Sequence, residues 1–321
     1  MKLTPISRSK MDLCEITPVQ GGVFVALGNF DGVHKGHLEL LNAARRGAQL
    51  TGAHHPAVFT FYKGKAPAIT TFEERLTLME QAGIEEVFVA DFADLCGQSP
   101  REFVEVTLRS MGAVGVSCGF NFRFGKGAAG DGNTLRTLCA SAGIACTVVD
   151  AVTIDGDAVS STRIRQCLQR GAMEEAAKLL GRPWFLSDRV REGRKVGSSV
   201  LSTPTLNLSV EDGRQLPPFG VYFTETRVGG KIYPSVTNLG IRPTFGASDL
   251  LCETHLLGAS GNFYGADVQV NFLHYHRPER TFDSPSDLVA TIAGDIDAAA
   301  AYFADCTDMG NCHLTNERTD D

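Results

Sequence analysis

The chain has 321 residues, 43% of them hydrophobic and 21% charged, and a formal net charge of -7. That length suits two domains of ordinary size, and the composition excludes a disordered or low-complexity chain. The acidic balance argues against a broad attraction to nucleic acid or an anionic membrane, and no stretch reaches the roughly 18 to 20 apolar residues of a membrane span. The opening residues lack the apolar core of a signal peptide. Nine cysteines, an odd number with no C-x-x-C pair, indicate reduced thiols rather than a disulfide framework or a zinc site. A cytoplasmic protein is expected.

From residue 23 to about 150, short apolar runs alternate with helical patterns: VFVAL, HLELLNAARRGAQL, AVFTF, FEERLTLMEQAG, EVFVADF, REFVEVTLRSMG, VGVSCGF, TLRTLCASAG and ACTVVD. This alternation predicts a doubly wound parallel sheet with helices on both faces, an α/β fold. Thr71 with Glu74 fits a capping box, and Ser99, Pro100 and Glu102 mark another helix start. Phe72, Leu76 and Met79 fall at helical spacing, which predicts a core-facing stripe. Two further helical patterns, STRIRQCLQRG and MEEAAKLLG, end at Gly181, Arg182 and Pro183. Residues 184 to 282 then carry short runs, TLNLSV, GVYFTETRV, IYPSVTNL, LLCETHLL and DVQVNFLHY, separated by turn residues. They predict an antiparallel barrel or sandwich. A last helix starts near Ser284, Pro285 and Asp287, and the polar tail has no periodicity. The expected domains are residues 1–182 and 183–305, with a loose tail at 306–321.

The segment GNFDGVHKGH follows the first predicted strand of the alternating region and leads into a helix. In a doubly wound sheet, ligands bind beyond the carboxyl ends of the strands. A helix start there offers free N–H groups and a positive dipole end, which suit a phosphate. Gly32 and Gly36 present no Cβ to an approaching anion. His34 and His37 add imidazole donors that can follow charge building on a phosphate oxygen. Neither G-x-x-x-x-G-K-[ST] nor G-x-G-x-x-G occurs, and two histidines without a third ligand do not make a metal site.

GNFDGVHKGH resembles the G-x-F-D-G-x-H-x-G-H signature of the prokaryotic bifunctional riboflavin kinase and FAD synthetase family, a branch of the H-x-G-H nucleotidyltransferases with a Rossmann-like sheet. GFNFRFGKGAAGD at 119–131 and VSSTRIR at 159–165 extend the resemblance over the first half. It implies adenylyl transfer, in which a phosphate oxygen of FMN attacks the α-phosphorus of ATP and expels pyrophosphate. Gly28, Asn29, Phe30, Asp31 and Gly36 would bind nucleotide, with His34 and His37 lining the triphosphate. Ser161, Thr162 and Arg163 would close on it from the other side, Arg163 through a forked pair of donors. Asn121, Arg123 and Phe124 come from a loop where a nucleotide or flavin ring could stack. Asp31 either acts through magnesium or shapes the turn. One departure is FTFYKGKAP where the family shows a Pro-His-Pro-like sequence, leaving Lys63 and Lys65 as phosphate contacts.

GRPW, STPTLNL, LPPFGVY, TNLGIRPTF, ETH and FYG, in order between 181 and 265, resemble the family's riboflavin kinase module, a six-stranded barrel. The resemblance implies that Glu253 takes the proton from the terminal ribityl hydroxyl of riboflavin, which attacks the γ-phosphorus of ATP. Thr205 and Asn207 would hold Mg2+ and phosphates, and Gly193 and Gly197 would line the nucleotide loop. The chain reads GRKVGSSVLSTPTLN where the family has Leu-Gly-Phe-Pro-Thr-Ala-Asn at the end of a glycine-rich approach. An alternative therefore keeps FAD synthesis and treats the barrel as a flavin-binding or regulatory module. A second is an H-x-G-H nucleotidyltransferase for another acceptor. ATP, riboflavin, FMN and FAD are the implied small molecules, and oligomeric state is not written in the sequence.

Overall fold

The computed structural model describes residues 1–6, 19–62, 67–191, 205–244 and 247–308, with backbone alone for 242–244, 247–249 and 306–308. They form two compact units, Met1–Arg163 and Ile164–Asp321.

The first unit runs β1 (Lys2–Ile6), β2 (Val23–Leu27), α1 (Lys35–Thr51), β3 (His55–Phe61), α2 (Phe72–Gln81), β4 (Glu86–Ala90), α3 (Phe92–Leu95) and α4 (Pro100–Glu102). It continues through β5 (Ala113–Gly119), α5 (Gly132–Ala142), β6 (Ala145–Val149), the small hairpin β7 (Thr153–Ile154) and β8 (Asp157–Ala158), and the start of α6 (Ser161–Gln169). Six parallel strands lie in the order β1-β4-β3-β2-β5-β6. Strand order reverses between β2 and β5, and the crevice beyond their carboxyl ends is the place such sheets offer a ligand.

β2 is buried along its whole length because both faces of the sheet are covered. Val23, Val25 and Leu27 pack towards Phe103, Leu108 and Leu135, whereas Phe24 and Ala26 pack towards Leu41, Ala44 and Met79. The Phe24 ring lies between α1 and β5, where a Cβ at Gly47 or at Gly115 would come within 2.3 Å of it. Both expected capping boxes form, at Thr71/Glu74 and at Ser99/Glu102. The second opens α4, which leads into a π-helical segment, Phe103–Leu108, absent from the sequence reading. On α2 Met79 is buried and Leu76 packs against the core, but Phe72 is only half-buried while Glu74 and Arg75 are buried.

The second unit contains the rest of α6, α7 (Met173–Leu180), β9 (Trp184–Arg189), β10 (Thr205–Ser209), β11 (Gly220–Val228), β12 (Lys231–Thr244), β13 (Ala247–Leu256), β14 (Asp267–Pro278) and α8 (Pro285–Asp308). Its strands form one antiparallel sheet in the order β10-β13-β12-β11-β14-β9. The two ends of this six-stranded half-barrel meet where Arg191 N–H donates to Asn207 O at 3.1 Å. Strand periodicity sorts the side chains. Trp184, Leu206, Tyr222, Thr224, Thr254 and Phe272 turn inward and are fully buried, and α8 covers Val221, Phe223 and Val236 on the outer face with Ala299 and Phe303. α7 packs on β9 and β14. No helix among the described residues is long and apolar enough to cross a membrane.

Candidate functional sites

The loop from Gly28 to His34 leaves the carboxyl end of β2 and turns into α1. Phe30 and Val33 hold positive φ angles of 52° and 37°, a costly conformation for residues with a Cβ, and both are buried. A web of bonds holds that strain in place. The Asp31 carboxylate accepts from Ile69 N–H at 2.9 Å and Thr70 N–H at 3.3 Å, while Gly32 N–H donates to Thr70 Oγ1 at 3.0 Å. Of the two roles left open for Asp31, shaping the turn is the one these bonds display. Asn29 contributes its carbonyl, which accepts from Thr60 Oγ1 at 3.1 Å and from Arg75 Nη1 at 2.7 Å. Arg75 also donates to Tyr62 O at 2.9 Å. Burial pushes its guanidinium below the ordinary value, against the pull of Asp31 and Glu73.

His34 is the N-cap of α1, and its Nδ1 accepts from His37 N–H at 3.3 Å. An accepting Nδ1 in a neutral ring leaves the proton on Nε2, so His34 presents an N–H donor on its other side. The two imidazoles stack with centroids 3.6 Å apart and planes at 16°, and His37 meets Phe30 at 5.1 Å. Gly36 makes room for this stack, since a Cβ there would lie 3.2 Å from the His34 ring. The paired histidines thus sit at a helix N-terminus beside the switch point of the sheet, where an anion is favoured.

The second motif reaches the same loop: Ser161 Oγ donates to Asp31 O at 3.0 Å across 130 residues of sequence. Thr162 is exposed. Arg163 is half-buried and its Nη1 donates to Ile154 O at 2.9 Å and to Asp157 O at 3.1 Å, so part of the expected fork clasps the β7–β8 hairpin. The third motif leaves the end of β5. Asn121 and Arg123 are exposed there, with Arg123 3.6 Å from Asp131, the N-cap of α5. Phe124 does not offer the expected stacking surface. It is 7% exposed, packed against Phe103 and stacked on Phe122, because the bridge it forms with Gly130 folds the loop back onto the core. The exposed ring of this segment is Phe120. Lys63 and Lys65 lie outside the described residues.

In the second unit, Gly193 and Gly197 also lie outside the described residues. The other candidates share one face. Asn207 on β10 is directly opposite Glu253 on β13, and Thr205 is opposite His255. Burial lowers the pKa of the His255 imidazole. Thr205, Asn207 and Glu253 are half-buried on the outer face, while their neighbours Leu206, Leu208, Cys252 and Thr254 fill the interior. Threonine and asparagine side chains supply the hard oxygen donors that magnesium takes, one or two at a time with phosphates completing the shell. The donor set therefore fits that ion, although no cluster of three His, Cys, Asp or Glu groups able to hold a metal occurs among the described residues.

Sequence reasoning missed Arg75 and Thr70, which hold the histidine loop. Their only signal was a charged residue placed at a core-facing position of α2 and a hydroxyl just before its cap.

Comparison with known proteins gives both sites a family. The FAD synthetase family model matches residues 16–163 and the riboflavin kinase model residues 180–303. The bifunctional riboflavin kinase/FMN adenylyltransferase of Bacillus subtilis (strain 168) is 32% identical over 87% of this chain and 92% of its own. Those of Pseudomonas fluorescens and Escherichia coli (strain K12) are also 32% identical, covering 91% and 88% of this chain and 96% and 94% of theirs. A crystal structure of a Streptococcus pneumoniae protein named as a macrolide-efflux protein superposes with a TM-score of 0.80 at 26% identity, over 94% of this chain and 99% of that one. With two models matched in order and full-length relatives above 30% identity, the chain belongs to the bifunctional riboflavin kinase/FMN adenylyltransferase family.

Proposed function

We propose that the first unit joins FMN to ATP as FAD and pyrophosphate, and that the second makes the FMN from riboflavin and ATP. The observation that carries the first step is the stacked His34/His37 pair at the start of α1, with Ser161 bonded to the same loop. Little covalent work falls to the protein in adenylyl transfer, so fixed donors around the triphosphate supply orientation and charge stabilisation. His34 Nε2–H, the amides opening α1 and the remaining donors of Arg163 play that part. The bonds from Ile69, Thr70 and Arg75 to the Gly28–Gly36 loop support the histidine at the head of that set.

In the second unit Glu253 takes the proton from the ribityl hydroxyl, and that oxygen attacks the γ-phosphorus of ATP. Thr205 and Asn207 would hold magnesium beside it, and that ion, when bound, offsets charge on the transferred phosphoryl group. The Asn207–Glu253 pairing supports an active kinase, because it keeps base and phosphate-side ligand adjacent although the preceding segment departs from the family. The cytoplasmic setting belongs to the same proposal.

Two variants test the division of labour. His37→Ala is expected to abolish FAD formation from FMN and leave FMN formation from riboflavin within about twofold. Glu253→Ala is expected to do the reverse. Chromatography of products with riboflavin or FMN as acceptor reads both, and equal loss of both activities in either folded variant overturns the assignment.

A further inference from the structure

The β7–β8 hairpin follows β6 and leads into α6. Ile154 pairs with Asp157, and Val159 N–H donates to Val152 O at 2.8 Å, so the two residues Asp155 and Gly156 close a tight turn. Both hold positive φ, 56° and 86°, as a type I′ turn requires. On its return the chain passes the histidine loop: a Cβ on Gly36 would lie 3.7 Å from Val159 O, and Ser161 Oγ donates to Asp31 O. The carbonyls on either side of the turn, Ile154 O at 2.9 Å and Asp157 O at 3.1 Å, both accept from Arg163 Nη1. Arg101, Arg170 and Arg277 each pair with a carboxylate instead.

We propose that the β7–β8 hairpin is a positioning element for adenylyl transfer: its two carbonyls hold the Arg163 guanidinium in one plane toward the nucleotide's phosphates, and Gly156 gives the turn the shape that presents them. The inference rests on the reading of Arg163 as a phosphate donor. A guanidinium is planar and its donors are fixed relative to one another, so two acceptors on one terminal nitrogen orient the whole group. With Nη1 given to the hairpin, the fork left for a phosphate is the Nε–H and Nη2–H edge, which matches two phosphate oxygens. Backbone carbonyls are neutral, so they fix the arginine without cancelling its charge. A carboxylate in their place would hold it equally well and weaken its pull on the triphosphate. Rotamer freedom that a loose arginine would lose on meeting ATP is lost already on folding.

Gly156 is exposed and a Cβ there meets nothing within 4 Å, so a substitution acts on the turn's conformation and not by collision. The test uses the full-length protein and measures FAD formation from FMN with Mg-ATP. Gly156→Val is expected to lower kcat about tenfold or more, with KM for ATP within about threefold and FMN formation from riboflavin unchanged. Gly143, at the end of α5, has φ of 72° and equally open surroundings, which makes Gly143→Val a control for backbone strain in the same unit. That control should keep kcat within about twofold of native. Native kcat in Gly156→Val, or an equal loss in Gly143→Val, overturns the proposal. A double-mutant cycle adds a second arm. In the Arg163→Lys background, where no planar fork remains to be aimed, Gly156→Val should cost less than about twofold. An undiminished loss there overturns the proposal too, whereas Arg163→Ala with native kcat would instead refute the phosphate role of the arginine itself. Thermal unfolding identifies a variant that does not fold. Gly156→Ala, the smaller change, then decides alone: a loss of severalfold with unchanged KM counts for positioning, and kcat at the native value counts against it.

Discussion

Burial of the Arg75 guanidinium, 5% exposed, links α2 to the loop that carries the histidines through its bonds to Asn29 O and Tyr62 O. Hydrogen bonds from a charged donor contribute about 1.5 to 3 kcal/mol each, offset by the cost of removing the charge from water. Arg75→Ala is expected to lower stability by about 2 to 4 kcal/mol in urea titration. It should also cut FAD formation about tenfold or more in the folded fraction, with FMN formation retained. Such residues explain what a sequence conceals. His34, His37 and Ser161 were legible because glycines, strand and helix start frame them in a recognisable order. Arg75 was not, because a charged side chain at a core-facing position looks like a break in the stripe until its carbonyl partners are seen. Phe124 is the reverse case: an aromatic among glycines suggests an open platform, and only the pairing with Gly130 shows that it is folded inward.

The edge strand β1 illustrates the same limit for whole elements. Pro5 weakens its strand signal, yet proline is tolerated on an edge, and among the described residues β1 pairs with β4 alone. Side chains complete the attachment. The buried Glu86 carboxylate accepts from Lys2 Nζ at 2.7 Å, Thr4 Oγ1 at 2.6 Å and His55 Nε2 at 3.0 Å. Burial works to raise the Glu86 carboxyl, but the hydrogen bonds from Lys2, Thr4 and His55, with the Lys2 charge, hold it below its ordinary value. A carboxyl lowered on folding contributes stability that is complete above its unfolded value, roughly 4.3, and is lost as pH falls through the lower folded one. Thermal midpoints of the native protein should therefore fall more steeply between pH 6 and pH 3 than those of Glu86→Gln. The variant should be less stable at neutral pH by about 1 to 3 kcal/mol.

At the scale of the molecule, the change of periodicity at Pro183 marks where helices give way to strands, whereas compactness divides at Arg163 and Ile164. The two differ because Met173, Ala176, Leu179 and Leu180 are buried on α7, which packs on β9 and β14. Large apolar side chains contribute about 1.5 to 3 kcal/mol each on burial, and a domain's whole margin is about 5 to 15 kcal/mol. A fragment of residues 160–308 should accordingly stay soluble and form FMN, whereas 183–308 should aggregate or melt far lower, as soluble yield and calorimetry will show. The tight seat of Phe24 against Gly47 also turns the remote end of α1 into a lever on chemistry. Adding one methyl there by Gly47→Ala must tilt or lift the rod whose other tip, about 15 Å away, carries both imidazoles. A distant, outwardly harmless change would thereby slow adenylylation while riboflavin phosphorylation proceeds undisturbed.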